Sequence, residues 1–66
     1  MKITINSEEF EFKGKTIEDL LNQKKIVNLK GIALAINENV IPKHDWKSYF
    51  LKPEDEVLII KPVQGG

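Results

Sequence analysis

Over the first six positions apolar and polar residues alternate, with Ile3 and Ile5 on one side and Lys2, Thr4 and Asn6 on the other. A period of two in a β-branched run predicts a strand. Ser7-Glu8 reads as a tight turn. Glu9 to Lys13 then alternates again and puts Phe10 and Phe12 on one side, so the two runs form a hairpin. Gly14-Lys15 breaks the pattern. Thr16, with Asp19 three residues on, resembles a capping box in which Asp replaces the usual Glu. Ile17, Leu20 and Leu21 follow at helical spacing, giving one apolar face over about two turns and an end near Lys24-Lys25, where cations suit the helix dipole. Those two lysines read as a solvated helix end, not as a binding patch.

Ile26 to Lys30 is irregular. Ile32-Ala33-Leu34-Ala35-Ile36 is apolar on both faces, which predicts a strand with some cover on each side. Asn37-Glu38-Asn39 is a turn, and Val40-Ile41 is a short strand that Pro42 ends or keeps at an edge. Lys43 to Leu51 holds Trp46, Tyr49 and Phe50 without clear periodicity. It reads as a crossing segment with a helical turn whose aromatics plug the end of the core. Lys52-Pro53-Glu54-Asp55 has proline at the second position of a type I turn. Glu56 to Lys61 is apolar on both faces through Val57, Leu58, Ile59 and Ile60, as suits a central strand.

The order of elements predicts an α+β fold: a ubiquitin-like β-grasp, with a mixed four- to five-stranded sheet and one helix across one face. The first and last strands would pair in parallel at the centre, with Ile3, Ile5, Val57 and Ile59 facing the helix. Residues 1–62 would form this domain and residues 63–66 a flexible Gly-Gly tail.

Length and charge narrow the function. Sixty-six residues hold one domain with a thin core. Without cysteine there is no disulfide and no thiol chemistry within the chain. Ten lysines balance ten acidic residues and arginine is absent, so neither nucleic acid nor an anionic membrane is an expected partner. No run approaches a membrane-spanning length. The expectation is a soluble cytoplasmic protein, monomeric when free.

The candidate chemistry lies at Gly65-Gly66. A frayed end is the default for a terminus, but two glycines directly after a strand and a proline suit another use. A C-terminal carboxylate must be activated before it can be joined to anything. An enzyme that adenylates it with ATP needs a narrow channel, and glycines enter one without side-chain clash. A sulfur nucleophile arriving at the mixed anhydride would leave a thiocarboxylate on Gly66. The sulfur must come from another protein's persulfide, because this chain has no cysteine. Val63, Gln64 and Gly65 would thread the partner's active site. No bound cofactor is expected, and ATP would be bound by the activating partner.

Elsewhere the residues read blandly. Leu58 and Ile60 should face away from the helix, beside Ala33 and Ala35. They form either a patch that docks the activating enzyme or a surface covered by the Lys43–Leu51 segment. His44 has no companion ligand for a metal, and Asp45 beside it has no nucleophile to serve. Trp46, Tyr49 and Phe50 read as packing, because no basic groove accompanies them. The Glu8-Glu9 and Glu54-Asp55-Glu56 clusters read as solvated turns.

The stretch Ala33-Leu34-Ala35-Ile36-Asn37-Glu38-Asn39-Val40-Ile41-Pro42, with Trp46 shortly after, resembles the ThiS sulfur carriers of thiamine biosynthesis. So do the step from Gly14-Lys15-Thr16-Ile17 into Leu20-Leu21 and the closing Gln64-Gly65-Gly66. The resemblance implies a ThiF-like adenylating enzyme that activates Gly66 and a ThiG-like thiazole synthase that takes the sulfur. It also implies that the chain is a cosubstrate and not an enzyme. In one departure, the turn before the last strand, often Gly-Asp in that family, is here Glu54-Asp55. Ile60-Lys61-Pro62-Val63 also resembles the small subunit of molybdopterin synthase (MoaD-like). A ubiquitin-like protein modifier and a plain β-grasp interaction module are the remaining alternatives.

Overall fold

The computed structural model describes residues 1–62; Val63, Gln64, Gly65 and Gly66 lie outside the described residues. The first hairpin comprises β1 (Lys2–Ile5) and β2 (Glu8–Glu11), paired antiparallel with Ile5 opposite Glu8. That register makes Asn6-Ser7 the turn, one residue earlier than the Ser7-Glu8 expected. Both residues sit at positive φ, 49° and 71°, as a type I′ hairpin turn requires, and asparagine tolerates that region better than most residues. β2 is an edge strand. Its exposed Glu8, Glu9 and Glu11 put charge where an open edge would otherwise invite pairing with another chain.

The one α-helix among the described residues, α1 (Ile17–Gln23), begins as the sequence predicts. Thr16 Oγ1 accepts from the Asp19 N–H, and the Asp19 carboxylate accepts from the Thr16 N–H in return. Asp19 also accepts from the Lys15 N–H at 2.8 Å. These backbone donors, Lys15 first and then Thr16, hold the Asp19 carboxyl below its ordinary pKa. Ile17, Leu20 and Leu21 are the buried face.

β3 (Ala33–Ile36) and β4 (Asn39–Val40) form the second hairpin, again through two positive-φ residues, Asn37 and Glu38. A 3-10 turn (Lys43–Asp45) follows, and β5 (Glu56–Ile60) closes the sheet. The strand order is β2-β1-β5-β3-β4; β5 lies parallel to β1 and antiparallel to β3. One helix on a mixed five-stranded sheet with the terminal strands parallel at its centre is the β-grasp arrangement.

Ile3, Ile5, Val57, Ile59, Leu34 and Ile36 face the helix and are buried with Phe12, Ile17, Leu20 and Leu21. Trp46 plugs one end of this core and donates its indole N–H to the Ile41 carbonyl at 2.8 Å. Tyr49 is partly buried against the core. Phe50 departs from the expected plug and is exposed, because its backbone forms an isolated bridge with Thr16 while the next residue, Leu51, takes the buried position.

The turn into β5 is also of a different type from the one expected. The Asp55 N–H reaches the Lys52 carbonyl at 3.2 Å, but Glu54 has φ 68°. A positive φ at the third position of the turn, directly after Pro53, makes this a type II turn, not type I. Asp55 is buried and fully used, its carboxylate accepting from the Lys52 N–H and from the Asn37 side-chain amide. Among the described residues no buried side-chain polar atom lacks a partner, and no helix is long and apolar enough to cross a membrane.

Candidate functional site

The proposed point of attachment, Gly66, and the tail residues Val63, Gln64 and Gly65 lie outside the described residues. What the structure gives is the root from which they depart. β5 ends at Ile60, and Lys61 and Pro62 follow, both exposed. Pro62 lies against Gly31. A Cβ on Gly31 would meet the Pro62 ring at 3.2 Å, and Gly31 has φ +78°, so the loop before β3 comes this near the tail root because the residue there has no side chain. The tail is thus launched from the central strand of the sheet, the position least able to shift.

The face of the sheet away from α1 is fixed by the strand register. Ala33 pairs with Ile60, and Ala35 with Leu58; paired residues share a face, so all four sequence-derived docking candidates lie together. Leu58 and Ile60 are 49% and 52% exposed. Ala33 is exposed too, whereas Ala35 is buried; small and central, it is shielded between larger neighbours. The register adds Val40, which pairs with Ala35 and is 74% exposed. Val40 was not singled out from the sequence. Its signal was the short hairpin itself: a two-residue turn at Asn37-Glu38 fixes Val40 opposite Ala35.

The Lys43–Leu51 segment does not cover this face. It packs at the start of α1, where the Tyr49 and Trp46 carbonyls accept from the first helical amides, Ile17 and Glu18, at 3.1 and 3.2 Å. The Leu51 N–H binds the Lys15 carbonyl at 2.8 Å. Those bonds satisfy amides that have no partner within a helix, and they hold the segment at the helix end. The cover expected on the second side of β3 is therefore partial: Ala35 is buried among its neighbours on the sheet while Ala33 is exposed.

Toward the start of β5 the open face turns polar, with a cavity lined by Thr4, Asn6, Ser7, Glu38, Glu56 and Leu58 among others. His44 is exposed and lies 3.6 Å from Asp45, and among the described residues no group of His, Cys, Asp or Glu side chains could hold a metal ion. The other perturbed carboxylate is Glu11, held below its ordinary pKa first by its hydrogen bond with the Met1 ammonium, 2.9 Å away. Both Glu11 and Asp19 belong to the scaffold and neither adjoins the tail root.

Comparison with known proteins agrees with this geometry. A model of the ThiS family matches residues 3–66. The chain is 30% identical over 67 residues to the sulfur carrier protein ThiS of Escherichia coli K12, the alignment covering all of both chains. The crystal structure of the thiamine biosynthesis protein ThiS from Geobacter metallireducens superposes with a TM-score of 0.83 at 20% identity, over the full length of both chains. The solution structure of a thiamine biosynthesis protein from the same organism gives 0.80 at 20% identity, covering all of this chain and 88% of the other. The two structural likenesses bear on the fold.

Proposed function

Because the chain belongs to the ThiS family of sulfur carriers of thiamine biosynthesis, we propose that its Gly66 carboxylate is adenylated by a ThiF-like enzyme and becomes a thiocarboxylate that a ThiG-like thiazole synthase consumes. The observation that carries this reading is the family match running through residue 66, so that Gly65 and Gly66 fall within it. In the first step a carboxylate oxygen of Gly66 attacks the α-phosphate of ATP and pyrophosphate leaves. In the second, a persulfide sulfur from a donor protein adds to the activated carbonyl and AMP leaves. Resolution of the resulting acyl disulfide by a thiol places a single sulfur on Gly66.

The protein is a carrier and not a catalyst. Its own residues supply a narrow tail, a rigid root at Lys61-Pro62 and a docking face of Ala33, Val40, Leu58 and Ile60, with Ala35 as its floor. ATP binds to the partner. A face of this kind is recognised by burial of apolar surface, which aligns the carrier so that the tail enters the channel.

An intact mass spectrum tests the reading. Incubated with the activating enzyme, ATP and a persulfide donor, the protein should gain the mass of one oxygen replaced by sulfur, localised to Gly66 by fragmentation. A terminus that stays a plain carboxylate under those conditions would leave the chain as an interaction module. Deletion of Gly66 should abolish pyrophosphate release.

A further inference from the structure

Lys24 and Lys25 at the end of α1 do not stand alone in the folded protein. The loop after the helix turns back through Lys25, at φ 59°, and brings Lys30 and Lys61 to the same groove. This groove, of about 460 Å³, is lined by those four lysines with Ile26, Val27, Asn28, Ile32 and Pro62. No carboxylate lines it, and none of the four lysines takes part in an ion pair among the described residues. The chain as a whole has as many acidic residues as lysines, so this local excess reflects sorting of charge by the fold. The opposite sign predominates at the other end of β5, where Glu38 and Glu56 line one cavity, and Glu9, Glu54 and Glu56 line another with Lys2, which pairs with Glu9 at 3.9 Å.

From this sorting we propose that the lysine groove beside the tail root docks an acidic segment at the mouth of the channel in the enzyme that activates Gly66. The inference rests on the carrier reading above and adds a second contact to it, of different chemistry from the apolar sheet face. Position selects the occupant. Gly66 is the fourth residue after Pro62, and an extended chain spans at most about 14 Å over that length. Lysines at the root therefore meet the protein surface around the channel mouth, whereas the nucleotide sits at the far end of the tail. The ammonium of Lys24 lies over the Phe10 ring, 5.0 Å from its centroid, but those of Lys25, Lys30 and Lys61, brought against a neutral or basic surface, would be desolvated without partners, so the surface they meet is anionic. Val27, 85% exposed, and Pro62 supply apolar contact between the charges, which suits a peptide segment better than a phosphate. A nucleic acid would need a longer basic stripe with stacking side chains.

The test is the salt-dependent kinetics of adenylation, followed by pyrophosphate release with the native activating enzyme. One variant carries Lys24→Gln, Lys25→Gln, Lys30→Gln and Lys61→Gln. A control carries the same charge change elsewhere: Lys13→Gln, Lys15→Gln, Lys43→Gln and Lys47→Gln. The groove variant should raise KM for the carrier about tenfold or more at low salt while leaving kcat unchanged, as expected when complementary charge guides association. Added salt should raise the wild-type KM toward that of the groove variant, a readout that needs no variant to fold. Equal KM values for groove variant and control would overturn the proposal, as would a wild-type KM indifferent to salt. So would a stoichiometric complex with a single-stranded oligonucleotide unaccompanied by any KM effect. In each of those cases a retained kcat keeps the carrier reading intact. Absence of pyrophosphate release from the wild type would instead sink the carrier reading and the groove with it.

Discussion

Glu54 occupies a backbone conformation that its side chain disfavours. At φ 68° an L-residue crowds its own Cβ against the following carbonyl, a cost of roughly 1–2 kcal/mol. The position is left-handed, which is where glycine, the residue that the resemblance leads one to expect before Asp55, carries no such cost. Glu54→Gly should therefore raise stability by about 0.5–1 kcal/mol, the relief of strain exceeding the added freedom of the unfolded chain; urea unfolding midpoints measure it. Asp19 yields a prediction with a definite pH window. Its pKa is depressed in the folded state by the Lys15 and Thr16 amides, so its contribution is fully present above the unfolded pKa and is lost as pH falls through the folded value. The stability difference between wild type and Asp19→Asn should be constant between about pH 7 and pH 5 and close below about pH 4. Glu11 shifts in the same direction but is common to both proteins and cancels in the difference. A gap that persists unchanged into acid would refute the assignment.

At the scale of elements, β1 and β5 form the joint on which the fold turns, and one side chain lengthens it. Successive odd residues of β5 and the turn before it offer their backbone to β1. The Thr4 N–H binds the Asp55 carbonyl and the Asn6 N–H binds the Val57 carbonyl, each at 2.9 Å. Beyond Asn6 the chain turns away into β2, which would leave Ile59 without a partner on that side. The Asn6 side-chain amide replaces the missing strand: its Oδ1 accepts from the Ile59 N–H at 2.8 Å and its Nδ2 donates to the Ile59 carbonyl at 3.3 Å. Asn6→Gly keeps the positive φ accessible and removes both bonds. It should cost about 2 kcal/mol and speed hydrogen exchange at the Ile59 amide more than at Leu34, in the neighbouring strand. The hairpins, helix and central pairing were legible in the sequence because alternation and capping are local signals. The turn positions were less so. Ser7-Glu8 and Asn6-Ser7 fit the same alternation until the opposing strand fixes the register, and Pro53 suits type I and type II turns alike. Phe50 was misplaced because a bridge at one residue reversed which of two neighbours faces inward, something no periodicity in an irregular segment encodes.

At the scale of the molecule, the candidate docking face is a surface left uncovered, and only part of that was visible in the chain. Alternation in Glu56–Lys61 put Leu58 and Ile60 opposite the helix, but whether Lys43–Leu51 covered them depended on where its carbonyls found donors. They found them in the first amides of α1, because the unpartnered N–H groups of a helix start must be satisfied and the apolar sheet face offers no hydrogen bond at all. The lysine groove was hidden for a similar reason: Lys30 and Lys61 are far apart in sequence and meet Lys24 and Lys25 only once β3 and β5 pair. The uncovered face carries the last prediction. Leu58 is half exposed in the isolated protein, so Leu58→Glu gives up little folding energy, within about 0.5 kcal/mol as for most surface substitutions. Against a partner the same position lies at the centre of the apolar patch, between Ala35 and the strand end at Ile60. A buried anchor there is worth about 2 kcal/mol or more on truncation, and a carboxylate would add desolvation. Leu58→Glu should therefore lower kcat/KM for adenylation at least about thirtyfold, with the unfolding midpoint scarcely moved. Phe50→Ser is the matched control: it removes a large exposed apolar side chain, 61% accessible, from outside that face. If both substitutions reduce activation equally, the effect belongs to general surface hydrophobicity; if only Leu58→Glu does, the open face of the sheet is where the activating enzyme docks.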